Sequence, residues 1–172
     1  MQERKLVLVD YRPQWARAFA QEAEQLQAAL GDVLLAAHHI GSTSVEGLAA
    51  KPVIDILLEV TELAALDSLG PAMAALGYRA RGENGIPGRR YFQKGGNLRS
   101  HQLHAFVRGD EHVLRHLAFR DYLRAFPEKR DRYAALKREA VAACGHDIKA
   151  YQAYKHDFIQ QHQGEALKWF TP

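Results

Sequence analysis

The sequence predicts an α+β domain, with helices packed on a sheet in two layers and a helical C-terminal part. Three features support this fold class. Residues 53–60 form a nearly continuous apolar run, which is typical of a strand buried on both faces. Residues 89–94 and 100–108 are extended in pattern and flank Gly95-Gly96-Asn97, which predicts an antiparallel hairpin. From Asp110 onward, apolar side chains recur at helical spacing.

Length and composition indicate one globular domain that covers residues 1–172. Hydrophobic residues make up 47% of the chain and charged residues 25%, as in ordinary globular proteins. No apolar run approaches the roughly 20 residues of a membrane-spanning helix, and the first residues contain no apolar signal-peptide core. The single cysteine, Cys144, fits a reducing compartment. We therefore expect a cytoplasmic protein with no membrane partner.

The charge distribution favours a small anionic partner. The formal net charge is +3, and the lysines and arginines are scattered among acids rather than run together. A scattered, mildly basic surface argues against nucleic acid as the partner.

The first half of the chain predicts strands and helices in alternation. Residues 5–9 are a short apolar run that predicts an edge strand or an arm. Pro13 suits the first turn of a helix. The apolar stripe of this helix begins at Trp15, and Gly31 ends the helix. After it we expect a strand at residues 33–40, a helical turn at residues 45–50, a strand at residues 53–60 and a helix at residues 63–76 that Pro71 can divide.

The second half predicts the hairpin and three helices. Residues 78–80 predict a further strand, and residues 82–88, which hold three glycines and a proline, predict a loop. After the hairpin, the first helix ends at Pro127, the second reaches Cys144 and the third begins at Tyr151.

One acidic side chain interrupts the most apolar strand. Asp55 lies within residues 53–60, and burying a carboxylate costs several kcal/mol unless a partner or a cation compensates. A structural pairing with a nearby arginine or hydroxyl is one explanation, and a metal ion is another. Alternation along the strand places Asp55 on one face and the remaining core on the other.

The turn before that strand is a candidate anion site. It consists of Gly41, Ser42, Thr43 and Ser44, and a glycine with exposed N–H groups and hydroxyls can form an anion-binding concavity. Lys51 is near enough in sequence to add positive charge. The same residues could also form an ordinary polar turn.

Further candidates lie on the loop and the hairpin. His104 shares a strand face with Gln102 and is either a base, a metal ligand or a structural histidine. Arg90 and Lys94 either line a phosphate-binding surface or face solvent. Glu83, in the loop before them, could complete a metal site or be solvated.

Six runs of the sequence together resemble the GrpB family, also called the UPF0157 family. They are His39-Ile-Gly-Ser-Thr-Ser-Val, Gly47-Leu-Ala-Ala-Lys-Pro-Val-Ile-Asp-Ile, Gly82-Glu-Asn-Gly-Ile-Pro-Gly-Arg-Arg-Tyr-Phe, His101-Gln-Leu-His104, Leu117-Ala-Phe-Arg-Asp-Tyr-Leu-Arg and Tyr151-Gln-Ala-Tyr-Lys155. The resemblance implies a nucleotidyltransferase-like fold with a mixed sheet. It also implies a metal-dependent nucleotidyltransferase that transfers a nucleotidyl group to an acceptor.

Carried over to this sequence, the resemblance assigns roles to individual residues. Gly41 and Ser42 match the turn of that superfamily, and Asp55 matches its first carboxylate. Asp55 and Glu83 would bind Mg²⁺, and His104 would be a ligand or a general base. The phosphates of a nucleoside triphosphate, or of another phosphorylated small molecule, would lie over the turn. Lys51, Arg90 and Lys94 would neutralise them.

Two positions depart from the pattern that the resemblance implies. Leu57 stands where the second acid belongs, and Gln102 stands where a second histidine is frequent. The alternative is therefore a nucleotide- or coenzyme-binding module that lost catalysis together with the second carboxylate. A domain that binds only a protein partner is a third possibility.

Overall fold

A five-stranded mixed sheet forms the centre of the molecule. The computed structural model describes residues 7–170. The strands are β1 (Leu34–Ile40), β2 (Ile54–Val60), β3 (Tyr78–Ala80), β4 (Arg90–Lys94) and β5 (His101–Val107), in the spatial order β1-β2-β5-β4-β3. β2 and β5 are parallel, and the other neighbours are antiparallel. The α+β prediction and the antiparallel hairpin of β4 and β5 are confirmed.

Three helices cover one face of the sheet. They are α1 (Gln14–Leu30), α2 (Leu63–Asp67) and α3 (Gly70–Ala75). Pro71 lies in the first turn of α3, where its missing N–H is tolerated, and so it divides the helix predicted at residues 63–76. Buried side chains of α1 and the sheet, among them Leu26, Ile56 and Leu103, form the main core there.

Three longer helices cover the opposite face. They are α4 (Glu111–Ala125), α5 (Pro127–Cys144) and α6 (Ile148–Phe170). Leu57 and Phe106 pack against Val113 of α4 on this side. The molecule therefore has three layers rather than the two expected. Both faces of β2 are covered, which explains why Ile56, Leu57 and Leu58 are all fully buried.

The connections differ from the sequence prediction in two places. The helical turn between β1 and β2 is a 3-10 turn at Ser42–Ser44, earlier than the predicted residues 45–50. In the predicted run at residues 5–9, residues 5 and 6 lie outside the described residues, and Val9 forms an isolated antiparallel bridge with Ala50. None of the helices within residues 7–170 has the length and apolar character needed to cross a bilayer.

Candidate functional site

A cavity of about 280 Å³ lies between the sheet and the C-terminal helices. β2 contributes Asp55, β5 contributes Gln102 and His104, and the turn after β1 contributes Gly41 and Ser42. The opposite wall comes from the helices. Its polar residues are His116 and Arg120 of α4, Lys137 of α5, and Gln152, Lys155 and Gln163 of α6. Lys51 also lines the cavity, as do apolar side chains such as Ile40, Phe119 and Leu123.

Gly41 lets the backbone of the turn lie directly against the Asp55 carboxylate. Its φ is +72°, a conformation that L side chains rarely adopt. A Cβ at this position would lie 2.7 Å from Asp55 Oδ2. Both the backbone conformation and the close approach therefore require glycine.

Asp55 is an ionised carboxylate, and one of its two oxygens accepts hydrogen bonds from neighbouring side chains. Its Oδ1 accepts a hydrogen bond from His104 Nε2 at 3.1 Å. It accepts a second from the Gln102 amide at 2.9 Å, in the amide orientation that also lets Gln102 accept from Tyr91. Burial raises the pKa of Asp55, but the hydrogen bond from His104 and the charge of Lys51 outweigh it, so the pKa is lowered. No residue within 7–170 donates a hydrogen bond to Oδ2.

The partners of His104 define which of its nitrogens carries the proton. Arg89 Nη1 lies 3.4 Å from His104 Nδ1, and a guanidinium can only donate. Nδ1 therefore accepts, and Nε2 carries the hydrogen that is donated to Asp55. Arg89 is buried and also donates to the backbone carbonyls of Glu83 and Asn84, so its position is fixed. In this arrangement His104 has no free lone pair toward the cavity.

Three lysines, Lys51, Lys137 and Lys155, form a lysine cluster on the cavity. Lys137 is 3% exposed, and its Nζ donates to Ser42 Oγ and, at 3.1 Å, to the Ala49 carbonyl. Lys155 is 8% exposed, and its Nζ lies 4.6 Å from the centroid of the Tyr151 ring. Lys51 Nζ lies 5.6 Å from the centroid of the same ring. Within residues 7–170, Lys155 makes no hydrogen bond or ion pair.

Burial and repulsion from neighbouring charges disfavour the charged forms of Lys137 and Lys155. Burial, then the charges of Lys155 and Lys51, holds the pKa of Lys137 well below its usual range. Burial, then the charge of Lys51, lowers the pKa of Lys155 to about 8, although Asp55 opposes the shift. Burial also lowers the pKa of His116 to about 3, so His116 is neutral. Three lysines thus share the cavity with a single carboxylate, Asp55, which cannot neutralise all of them in their charged forms.

Comparison with known proteins identifies the family. A family model described as GrpB protein matches residues 5–165. The chain belongs to the GrpB family. The UPF0157 protein YqkA of Bacillus subtilis is 44% identical to this GrpB chain over 167 residues, which are 97% of the chain and 49% of YqkA. The chain therefore spans about half the length of that relative.

Solved structures confirm the fold of this GrpB chain. The crystal structure of conserved protein GrpB from Enterococcus faecalis has a TM-score of 0.93 and 40% identity, and the match covers 96% of this chain and 100% of that one. Terminal uridylyl transferase 4 from Trypanosoma brucei with bound dUTP has a TM-score of 0.52 and 12% identity. That match covers 84% of this chain and 52% of the transferase chain. The fold is thus that of nucleotidyltransferases, as the resemblance implied.

The structure brings together six of the ten residues predicted for the site. Gly41, Ser42, Thr43, Lys51, Asp55 and His104 all line the cavity. Two hydroxyls of the turn are already engaged in hydrogen bonds. They belong to Thr43, whose Oγ1 pairs with His39 Nε2 at 2.8 Å, and Ser44, whose Oγ donates to the Gly41 carbonyl at 2.5 Å. Of the three hydroxyls, that of Ser42 is the one paired with the lysine cluster.

Arg90 and Lys94 lie elsewhere, which corrects their expected grouping with the turn. Arg90 forms a bidentate pair with Asp67 at 2.9 and 3.2 Å. Lys94 pairs with Glu22 of α1 at 2.9 Å. The reason is the alternation of β4, which points Tyr91 toward His104 and points Arg90 and Lys94 toward α2 and α1 on the opposite face.

Glu83 is also not among the residues that line the cavity. Its side chain is engaged locally, because Oε2 accepts a hydrogen bond from the Gly88 backbone N–H at 2.7 Å. The link between this loop and the site is Arg89, which joins the loop carbonyls to His104. The expected pairing of Glu83 with Asp55 is therefore not formed in the structure.

The residues present do not fit a protein-held Mg²⁺. Within the described part of the chain, no group of three or more acids, histidines or cysteines is placed to hold a metal. Asp55 Oδ1 already receives two hydrogen bonds, and His104 directs a hydrogen toward it. Leu57, where a second acid would stand, is fully buried against α4. Mg²⁺ prefers several oxygen ligands, and ammonium groups surround this single carboxylate.

Sequence reasoning missed the lysines of the helical wall. Lys137 and Lys155 each follow a buried tyrosine, Tyr133 and Tyr151, by four residues, and each places its Nζ over that ring. A lysine on the apolar face of a helix, one turn after a tyrosine, was the available signal. Lys155 even closes one of the six runs that carry the family resemblance.

Proposed function

We propose that this GrpB chain is a nucleotide-binding module whose lysine cluster holds the phosphate groups of a nucleoside triphosphate or a related phosphorylated small molecule. The observation that carries the proposal is Lys155, an almost fully buried lysine on the cavity whose ammonium contacts the Tyr151 ring but makes no hydrogen bond or ion pair within residues 7–170. An unpaired buried charge costs several kcal/mol. A phosphate group supplies the missing counter-charge and hydrogen-bond acceptors.

The whole lysine cluster supports the same ligand chemistry. Three ammonium groups repel one another, and Asp55 offsets only one of them. Bound phosphate would raise the pKa of Lys137 and Lys155 and allow all three to be charged together. Ligand binding then takes up protons, and its affinity falls as the pH rises above about 8, where free Lys155 deprotonates.

The fold supports a nucleotide as the source of the phosphate. Two structures of the Trypanosoma brucei uridylyl transferase that share this fold contain dUTP and GTP. The site of this GrpB chain differs from a metal-dependent transferase in the properties already described, namely one carboxylate, a proton-bearing His104 nitrogen and a buried leucine at position 57. We therefore assign binding, and no metal-dependent step, to this cavity.

The test is binding of ATP and inorganic triphosphate by calorimetry and thermal shift, in buffer with EDTA. Both are expected to bind, and ligand at 100 times its Kd adds about 2.7 kcal/mol to stability. Lys155→Met is expected to weaken both at least tenfold, which is about 1.4 kcal/mol. Lys149→Met is the matched control, because Lys149 is exposed on the same helix.

Two results would overturn the proposal. One is the absence of binding to the unmodified protein, or equal losses in the Lys155 and Lys149 variants. The other is consumption of nucleotide that requires Mg²⁺ and is abolished by Asp55→Ala, which would instead support a metal-dependent nucleotidyltransferase.

A further inference from the structure

The cavity has two chemically different ends. One end is the lysine cluster together with Ser42. The other is a carboxylate end formed by Asp55 with its partners Gln102 and His104. A ligand made only of phosphate would meet repulsion from Asp55. The carboxylate end therefore requires its own explanation, which rests on the proposed function of the lysine end.

One oxygen of Asp55 is left open. Oδ1 receives hydrogen bonds from His104 and Gln102, whereas no residue within 7–170 donates to Oδ2. The absence of a Cβ at Gly41 keeps the space beside Oδ2 available, since that atom would lie 2.7 Å away. An ionised carboxylate only accepts hydrogen bonds. The matching ligand group is therefore a donor.

We propose that Asp55 Oδ2 accepts a hydrogen bond from a hydroxyl group of the ligand, so that the cavity selects a sugar phosphate such as a nucleotide over inorganic polyphosphate. A hydroxyl donates without adding charge, whereas an ammonium group would be repelled by the neighbouring lysines. Carboxylates recognise ribose hydroxyls in the same way in dinucleotide-binding folds. A site built around such a bond discriminates strongly against analogues that lack the hydroxyl.

Asp55→Asn tests the bond without a change of size. His104 and Gln102 both donate toward the Oδ1 position, so they select the orientation that places the amide oxygen there. The amide nitrogen then occupies the Oδ2 position and presents a donor instead of an acceptor. The same substitution removes the negative charge that opposes phosphate. The substitution is therefore expected to weaken the binding of ligands with the hydroxyl and to strengthen the binding of purely anionic ligands.

The experiment measures the Kd of ATP, 2′,3′-dideoxy-ATP and inorganic triphosphate, all with EDTA. The unmodified protein is expected to bind ATP at least tenfold more tightly than the dideoxy analogue. Asp55→Asn is expected to bring that ratio close to one and to bind triphosphate more tightly than the unmodified protein does. Glu59→Gln is the control, because Glu59 is an acid of the same strand that does not line the cavity and pairs with His38.

The outcomes separate this inference from the proposed function. If triphosphate does not bind, or Lys155→Met does not weaken it, the proposed function fails. If triphosphate binds through Lys155 but ATP and its dideoxy analogue bind equally, the hydroxyl contact is refuted while the proposed function stands. An ATP-to-dideoxy-ATP ratio that Asp55→Asn leaves unchanged would also refute the contact. The ratio for the unmodified protein decides the matter even if the variant does not fold.

Discussion

Gly41 shows how a single missing methyl group determines the geometry of the site. Its backbone lies against Asp55 Oδ2, and its φ is positive. The turn that follows is held by hydrogen bonds from Arg124 to the Ser44 carbonyl at 3.0 and 2.8 Å. The carboxylate therefore lies between its strand partners and a turn that cannot easily move away.

Gly41→Ala is expected to destabilise the protein more than Gly82→Ala. Both glycines have positive φ, +72° and +60°, so both substitutions add roughly 1–2 kcal/mol of backbone strain. A Cβ at Gly82 meets nothing within 4 Å, whereas at Gly41 it overlaps Asp55. Overpacking of this kind adds about 1–3 kcal/mol. Urea unfolding followed by circular dichroism measures both free energies, and equal losses would contradict the tight contact.

The sequence revealed the sheet side of the site at the residue scale because its signals are local. Asp55 is conspicuous as a charge within an apolar run, and Gly41 and Ser42 directly follow the preceding strand in the chain. Two positions gave misleading signals. Arg90 and Lys94 are close to His104 in sequence, but the alternation of β4 turns both away from it.

At the scale of elements, helix α6 carries a built-in instability. Lys155 is buried in the wall of the cavity, and its pKa is lowered from 10.5 to about 8 by burial and the charge of Lys51. Between pH 8 and 10.5 the unfolded chain therefore binds more protons at this lysine than the folded chain does. The free energy of unfolding rises with pH in that interval. The destabilisation is fully present below pH 8 and disappears toward pH 10.5.

Lys155→Met is expected to stabilise the ligand-free protein at pH 7 by at most about 3 kcal/mol. Methionine fills a similar volume without a charge to desolvate. The gain relative to the unmodified protein should shrink as the pH is raised from 8 to 10.5. Melting temperatures of both proteins across this range test it, with Lys149→Met as the exposed control. A gain that does not change with pH would show that charge burial is not its cause.

The elements themselves were largely predictable from local patterns. The strands, the loop at residues 82–88 and the three C-terminal helices all occur where the sequence predicts them, within one to three residues. Periodicity does not determine which side of the sheet each helix covers. The positions of Lys137 and Lys155 in the cavity depend on packing between α4, α5 and α6. That packing is not encoded in any single segment.

At the scale of the whole molecule, the cavity lies at the contact between two layers. The sheet supplies Asp55, Gln102 and His104, and the C-terminal helices supply Lys137 and Lys155. The helices α1, α2 and α3 lie on the other face of the sheet and contribute nothing to it. A bound phosphate therefore links the sheet to the C-terminal layer.

Triphosphate is expected to slow amide hydrogen exchange in α5, α6 and residues 41–51. Local opening of these segments breaks the site, so ligand binding raises the free energy of opening. Opening of α2 and α3 leaves the site intact. Exchange in α2 and α3 should not change. Mass spectrometry of the exchanged protein with and without triphosphate measures the pattern, and Lys155→Met should abolish it. Equal protection on both faces of the sheet would contradict this assignment.

Arg89 and the lysine-bearing helices act on different parts of the site, and this separation has a consequence for how the domain can diversify. Arg89 orients His104 and Asp55 from within the sheet layer, without help from α5 or α6. We therefore expect a chimera with a different helical pair in place of α5 and α6 to keep the hydrogen bonds of Asp55 to His104 and Gln102, while it loses the bonds of Lys137 to Ser42 and Ala49. Such chimeras would change which anion is accepted and preserve the hydroxyl contact.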